Sequence, residues 1–509
     1  LRGSILALAM IGVAAPALGG GVTVITHGFN GNVTDWIIPM ADRYLGNPSF
    51  PGKEISCYQL SVSNEGYSAT FLGGAEPTSS DSGEIIVKLD WSALAGLFGG
   101  ASSTVVAEKA AQALAAPNLI PALGGRPLAE LPLHLVGHSR GGSVVTELAR
   151  FLGARGIWVD HVTTMDPRPV FDDAAVATFA NVLYADNFWQ DLGDGFFTPN
   201  GQVLPGAYNR KLIALDGGYA SSHSDAHLWY HGTIELVTPA TDTGATITAT
   251  ERTTWWTADE AMGANVGFHF SRIGGGARKS AAEPAGPGTG MISDGVNRTW
   301  DFGSGIADNR TPLPANAGTW PNVILCQLLD TRPAGAEGSI ELKVTHQSGA
   351  ADAGDIRLDV FLDADRNPYN GGEIELATRI VANTGPEKVE STSLTVALDA
   401  DSVPPGSYSL FAVVDDGTRR RSLYAAGVIS VGSAVAPPSI DSDSLVVTAG
   451  TVSFNVHALP GQHVAVRASA DLEQWTAIAT KVMTDSVWGV VDGEQAAFPK
   501  RFYRVEIVP

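Results

Sequence analysis

Residues 133–155 read LHLVGHSRGGSVVTELARFLGAR: an apolar run of strand character, a Gly-x-Ser-x-Gly turn, then apolar residues at helical spacing. A strand that turns sharply into a helix needs small residues on either side of the turn, and Gly137 and Gly141 supply them. This unit constrains the rest of the domain, because a buried strand feeding a helix belongs to a parallel sheet covered on both faces. Further short apolar runs fit the same sheet: VTVIT (22–26), IIVKL (85–89), HVTTM (161–165) and NVLYA (181–185), with helix-like text between them. An α/β domain, mostly parallel with helices on both faces, is expected over residues 21–280.

The text then changes. Residues 281–322 are rich in Pro, Gly and Ala and read as a linker. Over 323–432, SIELKVTH, DIRLDVFLD, STSLTVAL and SYSLFAVV alternate apolar with polar residues, the pattern of half-buried strands in a β-sandwich module. A second, smaller all-β module is expected over 438–509. With 509 residues, 44% of them hydrophobic, the chain can fill several cores.

The balance of 32 basic against 53 acidic residues gives a net charge of −21, which repels nucleic acid and anionic membrane surfaces. At the start, Arg2 precedes an apolar run from Ile5 to Ala15 and the small-residue site Ala15-Pro16-Ala17, so residues 1–20 read as a signal peptide and the protein as secreted, extracellular or periplasmic. That run is shorter than the ~20 apolar residues a membrane span needs, and no transmembrane segment is expected. Cys57 and Cys326 stand far apart, which argues against a disulfide framework or a cysteine-based metal site.

The chemistry starts from Ser139, which the turn would hold above the carboxyl edge of the sheet at the positive end of the following helix. A serine hydroxyl is a weak nucleophile until a histidine takes its proton and an acid orients that histidine. Asp166 ends HVTTM at the same edge, with Pro167 stopping the strand. Asp160, Asp186 and Asp216 are competitors, though Asp160 precedes its strand. Downstream within the domain the histidines are His223, His227, His231 and His269. His223 stands just before a helical segment, whereas His227 and His231 lie inside it, four apart, with no third ligand of a zinc site. His223 is therefore the expected base, and His227 a packing residue whose loss costs ~1 kcal/mol. Two backbone amides, those of Phe29 after Gly28 and of Arg140 after the serine, are the expected oxyanion donors. His27 reads as structural.

In order along the chain, VITHGFNGN, LDWS (89–92), LVGHSRGG, TTMDPRPV, FFTPNGQVLPG (196–206) and SHSDAHLWY resemble the secreted neutral lipases of the pancreatic lipase family, within the α/β-hydrolases, over roughly residues 22–235. The resemblance implies Ser139 as nucleophile, Asp166 as acid and His223 as base, with Phe29 and Arg140 at the oxyanion hole. The sparse cysteines suit a bacterial member. Departures are the missing family cysteines, Arg140 where an apolar residue is usual, no recognisable lid or lipid-binding domain, and a sheet expected to be trimmed at its start.

A serine carboxylic-ester hydrolase acting on an ester or lipid substrate is the reading that follows. The alternatives are a polyester hydrolase or amidase using the same residues, and a non-catalytic surface-binding protein with a degenerate hydrolase domain, its C-terminal modules binding a surface or polymer. Aromatics at Phe188, Trp189, Phe196, Phe197 and Tyr208 would either wall an acyl pocket or fill the core. No cofactor is expected. Asp363, Asp365 and Asn367 have calcium-loop spacing, but Pro368 replaces the usual glycine and no glutamate stands at the twelfth position, so the stretch reads as a polar turn. Because Phe29, Ser139, Arg140, Asp166 and His223 all lie before residue 235, turnover of a small ester is expected to survive deletion from about residue 320.

Overall fold

The computed structural model describes residues 8–9, 20–45, 55–78, 83–96, 100–193, 195, 199–234, 241–242, 244–256, 267, 310–313, 318–332, 338–349, 354–385, 388–398, 403–425, 429–431, 438–448, 450–458 and 460–508. Of the expected signal segment, only the two-residue strand β1 (Leu8–Ala9) and Gly20 fall among these, and the expected domain end near residue 280 lies outside them.

Strands β2 (Val22–Thr26), β3 (Ser56–Ser63), β4 (Gly66–Gly73), β5 (Ile85–Asp90), β6 (Leu133–His138), β7 (His161–Met165), β8 (Ala185–Trp189) and β9 (Tyr208–Lys211) build one eight-stranded sheet, ordered β4-β3-β5-β2-β6-β7-β8-β9. Every pairing is parallel except the β3/β4 hairpin at the edge. The sheet is not short at its start: the hairpin, which the apolar runs did not reveal, fills that side. Consecutive residues feed opposite faces. Val22 and Val24 pack with Val106 and Ala107 of α2 (Ser103–Ala115) and Val144 and Leu148 of α3 (Arg140–Gly153), while Ile25 packs with Ile37 and Met40 of α1 (Ile37–Leu45) and Leu228 and Trp229 of α4 (Ser222–Ile234). Burial on both faces is why these strands read as unbroken apolar runs.

From β2 the chain moves outward to β3 and back to β5, then crosses to β6 and continues the other way. The carboxyl ends of β2 and β6 therefore flank the point where connections diverge, the usual crevice of an open parallel sheet.

The run expected as a strand over 181–185 is displaced. Val182 makes only an isolated bridge to Val159, and β8 proper begins at Ala185. Asn181 is occupied elsewhere, donating to the carbonyls of Ala149 and Ile157. Asp186 and Asn187, which hid the strand by being polar, are buried against β7, where Thr163 Oγ1 donates to Asp186 Oδ1 at 2.6 Å and Thr164 Oγ1 to Asn187 Oδ1 at 2.7 Å. The end of the expected linker is also packed. Thr311 bridges Phe179, Arg310 donates to the carbonyls of Ala180 and Val182, and the amide of Gly318 donates to Ala154.

After the hairpin β10 (Thr241–Asp242) and β11 (Ala245–Thr246), and α5 (Ala249–Trp255), the remaining strands are all antiparallel. Strands β12 (Asn322–Arg332), β13 (Gly338–Gln347) and β16 (Val389–Leu398) form one sheet. β14 (Ile356–Asp363), β15 (Ile374–Val381), β17 (Gly406–Asp415), β18 (Arg420–Tyr424) and β19 (Ile429–Val431) form another, which β1 joins through β19. Ile340 and Leu342 from the first meet Leu358, Val360 and Leu410 from the second in one core. A smaller pair follows: β20 (Ser439–Thr448), β21 (Thr451–His457) and β24 (Val487–Asp492), facing β22 (His463–Ser469), β23 (Thr476–Val482) and β25 (Phe502–Ile507) across Phe454, Val456, Val464 and Val466. This is compatible with two sandwich-like units. Among the described residues, no helix is long and apolar enough to cross a membrane.

Candidate active site

Ser139 sits between β6 and α3 with φ +57° and ψ −125°, a backbone conformation that costs an L-residue energy and lifts its side chain out of the turn. The close packing that permits it is visible at Gly141, where a Cβ would lie 2.4 Å from the carbonyl oxygen of His27. The Ser139 amide donates to Met165 O and its carbonyl accepts from the Arg168 amide, so the turn is tied to the loop leaving β7.

Three of the expected residues meet here. Ser139 Oγ is 2.7 Å from His223 Nε2, and His223 Nδ1 is 2.5 Å from Asp166 Oδ2. A carboxylate only accepts, so Nδ1 carries the proton and Nε2 presents its lone pair to the serine hydroxyl. Asp166 is fully buried and Ser139 is 7% exposed. Asp166 also has positive φ, +47°, and its amide donates to Phe188 O.

Gln190, which the sequence reading did not single out, completes the setting of the acid. Its amide donates to Asp166 Oδ1 at 2.8 Å and its side-chain Nε2 to Oδ2 at 2.7 Å. Its own Oε1 accepts from Ser222, immediately before His223. Gly201 closes over the same carboxylate: a Cβ there would stand 2.0 Å from Asp166 Oδ1.

The expected oxyanion loop runs beside the serine. A Cβ at Gly28 would fall 2.8 Å from Ser139 Cβ and 3.2 Å from Oγ, so the backbone entering Phe29 passes directly against the hydroxyl. Arg140 is the first residue of α3, where an amide has no intrahelical acceptor and the helix dipole is positive. Its side chain is turned away and buried, with Nε 2.6 Å from Asp173 Oδ2 and Nη2 2.8 Å from Oδ1. Asp173 in turn accepts from the amides of Ser103 and Val170. The departure at Arg140 is thus a clamp on the loop after β7, which carries Phe171, 69% exposed and 6.1 Å from the Phe29 ring.

The other candidates lie elsewhere. Asp160 is held by Arg421 and Asp186 by β7. His227 Nδ1 is 2.9 Å from Asp242 Oδ2 and His231 Nδ1 2.6 Å from Oδ1, so one carboxylate engages both imidazoles. Burial pushes the Asp242 carboxyl up, but its bonds to the two histidines outweigh that and leave it at about 2. His269 lies outside the described residues. His27 stacks on Trp91 at 4.8 Å and accepts from its amide. Phe188 is core, packed on Trp229 and Tyr230, and Tyr208 is buried, while Phe196 and Phe197 lie outside the described residues.

The acidic loop uses its oxygens on itself. Asp363 Oδ1 accepts from the amides of Asp365 and Arg366, Asp365 Oδ1 from Asn367 and Asn367 Oδ1 from Tyr369, while the Tyr424 hydroxyl donates to Asp363. Among the described residues, no group of three or more His, Cys, Asp or Glu side chains is arranged to hold a metal ion.

No family model and no curated protein matches this chain. A solved β-glucosidase involved in saponin metabolism, from intestinal bacteria, aligns over 79% of this chain and 50% of its own, at 12% identity and a TM-score of 0.13. The chain spans about half the length of that protein, and a likeness so slight carries no argument about fold or activity.

Proposed function

We propose that the protein is a serine carboxylic-ester hydrolase, lipase- or esterase-like, of the α/β-hydrolase kind its motifs resemble, exported from its cell and carrying two β-sandwich modules. The observation that carries this reading is the continuous Ser139–His223–Asp166 hydrogen-bond chain at a strained strand-to-helix turn.

In this reading Ser139 Oγ attacks the ester carbonyl carbon while His223 Nε2 takes the hydroxyl proton, and Asp166 stabilises the imidazolium. The carbonyl π electrons move to oxygen, where the amides of Phe29 and Arg140 receive the charge. On collapse the C–O bond to the alcohol breaks and His223 returns its proton to the leaving oxygen. Water, deprotonated by His223, then attacks the acyl-serine, which releases the carboxylic acid and restores the hydroxyl. Exposed Phe171 beside Phe29 favours an acyl group with apolar length.

The test is a fluorophosphonate probe together with esters of graded acyl length, an anilide and a polyester film. Labelling at Ser139 and turnover of soluble ester, both lost in Ser139→Ala with melting unchanged, is the expected result. A folded Ser139→Ala that still hydrolyses ester would sink the reading. Preference for the anilide or the film would move the substrate class within it.

A further inference from the structure

The residue before the candidate nucleophile holds the candidate base by its main chain. His138 Nε2 lies 2.8 Å from the carbonyl oxygen of His223. A carbonyl only accepts, so His138 donates from Nε2, and burial, with His223 and His227 close by, holds its pKa well below the ordinary histidine value. The ring is therefore neutral, with its proton on the nitrogen that faces His223.

Two consecutive residues thus grip one. Ser139 meets the His223 side chain and His138 meets its backbone, so the serine-to-base distance is set by a closed ring of contacts between the end of β6 and the first turn of α4. Behind His138 the packing is stiff. Its ring meets that of His227 edge-on at 4.7 Å, His227 stacks on Trp36 at 4.6 Å, and Asp242 lies 2.9 Å from His227 Nδ1 while it accepts from His231. His138, His227, His231 and Asp242 are all buried. Leucine at position 138 would avoid the cost of burying a polar ring, yet the ring present aims a donor at the carbonyl of the residue whose imidazole must stay within reach of Ser139.

We propose that His138, braced by the His227–Asp242 pair, is a positioning residue that sets the Ser139–His223 geometry; this rests on the hydrolase reading above. A displacement of the base by a fraction of an ångström lowers the chemical step and leaves substrate binding alone, because neither His138 nor His227 faces the substrate in that reading.

The experiment measures kcat, KM and fluorophosphonate-titrated sites on the full chain with a soluble ester, for wild type, His138→Leu and His138→Gln. His138→Leu is expected to lower kcat per titrated site by about 10- to 100-fold, with KM within about twofold. His138→Gln, whose side-chain N–H reaches the same carbonyl, is expected to restore kcat to within roughly threefold of wild type. Wild-type kcat in His138→Leu, or equal impairment of both variants, overturns the proposal. Should His138→Leu fail to fold, His227→Phe keeps the ring contact and removes the close polar contact with Asp242; a fall in kcat of about three- to tenfold is expected, and an unchanged kcat overturns the bracing. A wild-type protein that neither titrates nor hydrolyses ester overturns the parent reading instead, and is recognised before any variant is made.

Discussion

Arg421 of β18 sets its Nη2 2.9 Å from Asp160 Oδ2 at the foot of β7, and both side chains are buried. Nη1 of the same guanidinium donates to Trp158 O, and the Leu133 amide at the start of β6 also donates to Asp160 Oδ2. Trp158 Nε1 reaches Gln347, and Asn322 donates to Gly156 O and accepts from the Trp158 amide. The first antiparallel unit is therefore joined to the parallel sheet through buried polar groups that each side needs.

This reverses the expectation for deletion from about residue 320. Such a fragment would take the Arg421 guanidinium away from buried Asp160, and breaking a buried pair from one side costs about 3–5 kcal/mol. The fragment ending near residue 320 is expected to be insoluble or unfolded, whereas one ending near residue 432 should keep its soluble-ester turnover and melting temperature. Arg421→Ala in the full chain isolates the pair, and denaturant unfolding should register a loss of that size. A soluble, active fragment ending near 320 would show the interface to be dispensable.

What could be read ahead of the fold was what repeats along the chain. Ser139, Asp166 and His223 each stand at the end of an element whose period or turn chemistry is local, which let them be singled out ahead of the fold. Gln190 was missed because β8 was placed four residues early, on NVLYA, and the true strand carries Asp186 and Asn187 whose burial depends on Thr163 and Thr164 of a neighbour. His138 was not singled out, since its partner carbonyl is 85 positions away. The docking of β18 rests on Arg421 and Asp160, which stand 261 positions apart, and Asp160 was weighed only as a rival to Asp166.

Gly201→Ala adds one methyl group where only hydrogen fits. The new Cβ would approach Asp166 Oδ1 to 2.0 Å and Cα to 2.8 Å, so the carboxylate or the loop must move. In the hydrolase reading this shifts the acid away from His223 Nδ1, and kcat should fall by about 100-fold with KM within a few-fold. Fluorophosphonate labelling should slow in parallel. Wild-type kcat in this variant would mean the acid tolerates displacement.

Arg140→Leu places an apolar side chain at the first position of α3. In the hydrolase reading the oxyanion donor at this position is the backbone amide, which the change keeps, so turnover of a short-chain ester per titrated site should stay within about fivefold. Asp173, though, loses both guanidinium bonds while remaining buried, at a cost of about 3–5 kcal/mol. Because the clamped loop carries Phe171, KM for a long-chain ester should rise more than KM for a short one. A stability unchanged in urea would show that Asp173 finds its own solvation.

Glu84 gives the molecule a pH dependence with a definite sign. Its carboxyl sits at the foot of β5, accepting from the Gly21 amide at 2.9 Å and from Thr23 Oγ1 at 3.0 Å, yet burial prevails over these bonds and over nearby Arg366 and pushes its pKa up to about 8. In the unfolded chain the same group titrates near 4.5. A pKa raised by folding means that the folded state binds the extra proton between these values, so the stability it contributes is complete below pH 4.5 and is lost as pH rises through 8. The loss is of the order of 3–5 kcal/mol for this group, and Glu130, pushed up to about 7 by burial, adds to it in the same direction. Glu84→Gln places a neutral amide there, with its oxygen able to accept from Gly21 and its nitrogen able to donate to Thr23. Urea unfolding at pH 5, 7 and 9 should therefore show wild-type stability falling with pH, and the variant falling distinctly less, overtaking wild type at the alkaline end. Parallel pH slopes for the two proteins would mean that Glu84 stays ionised in the fold.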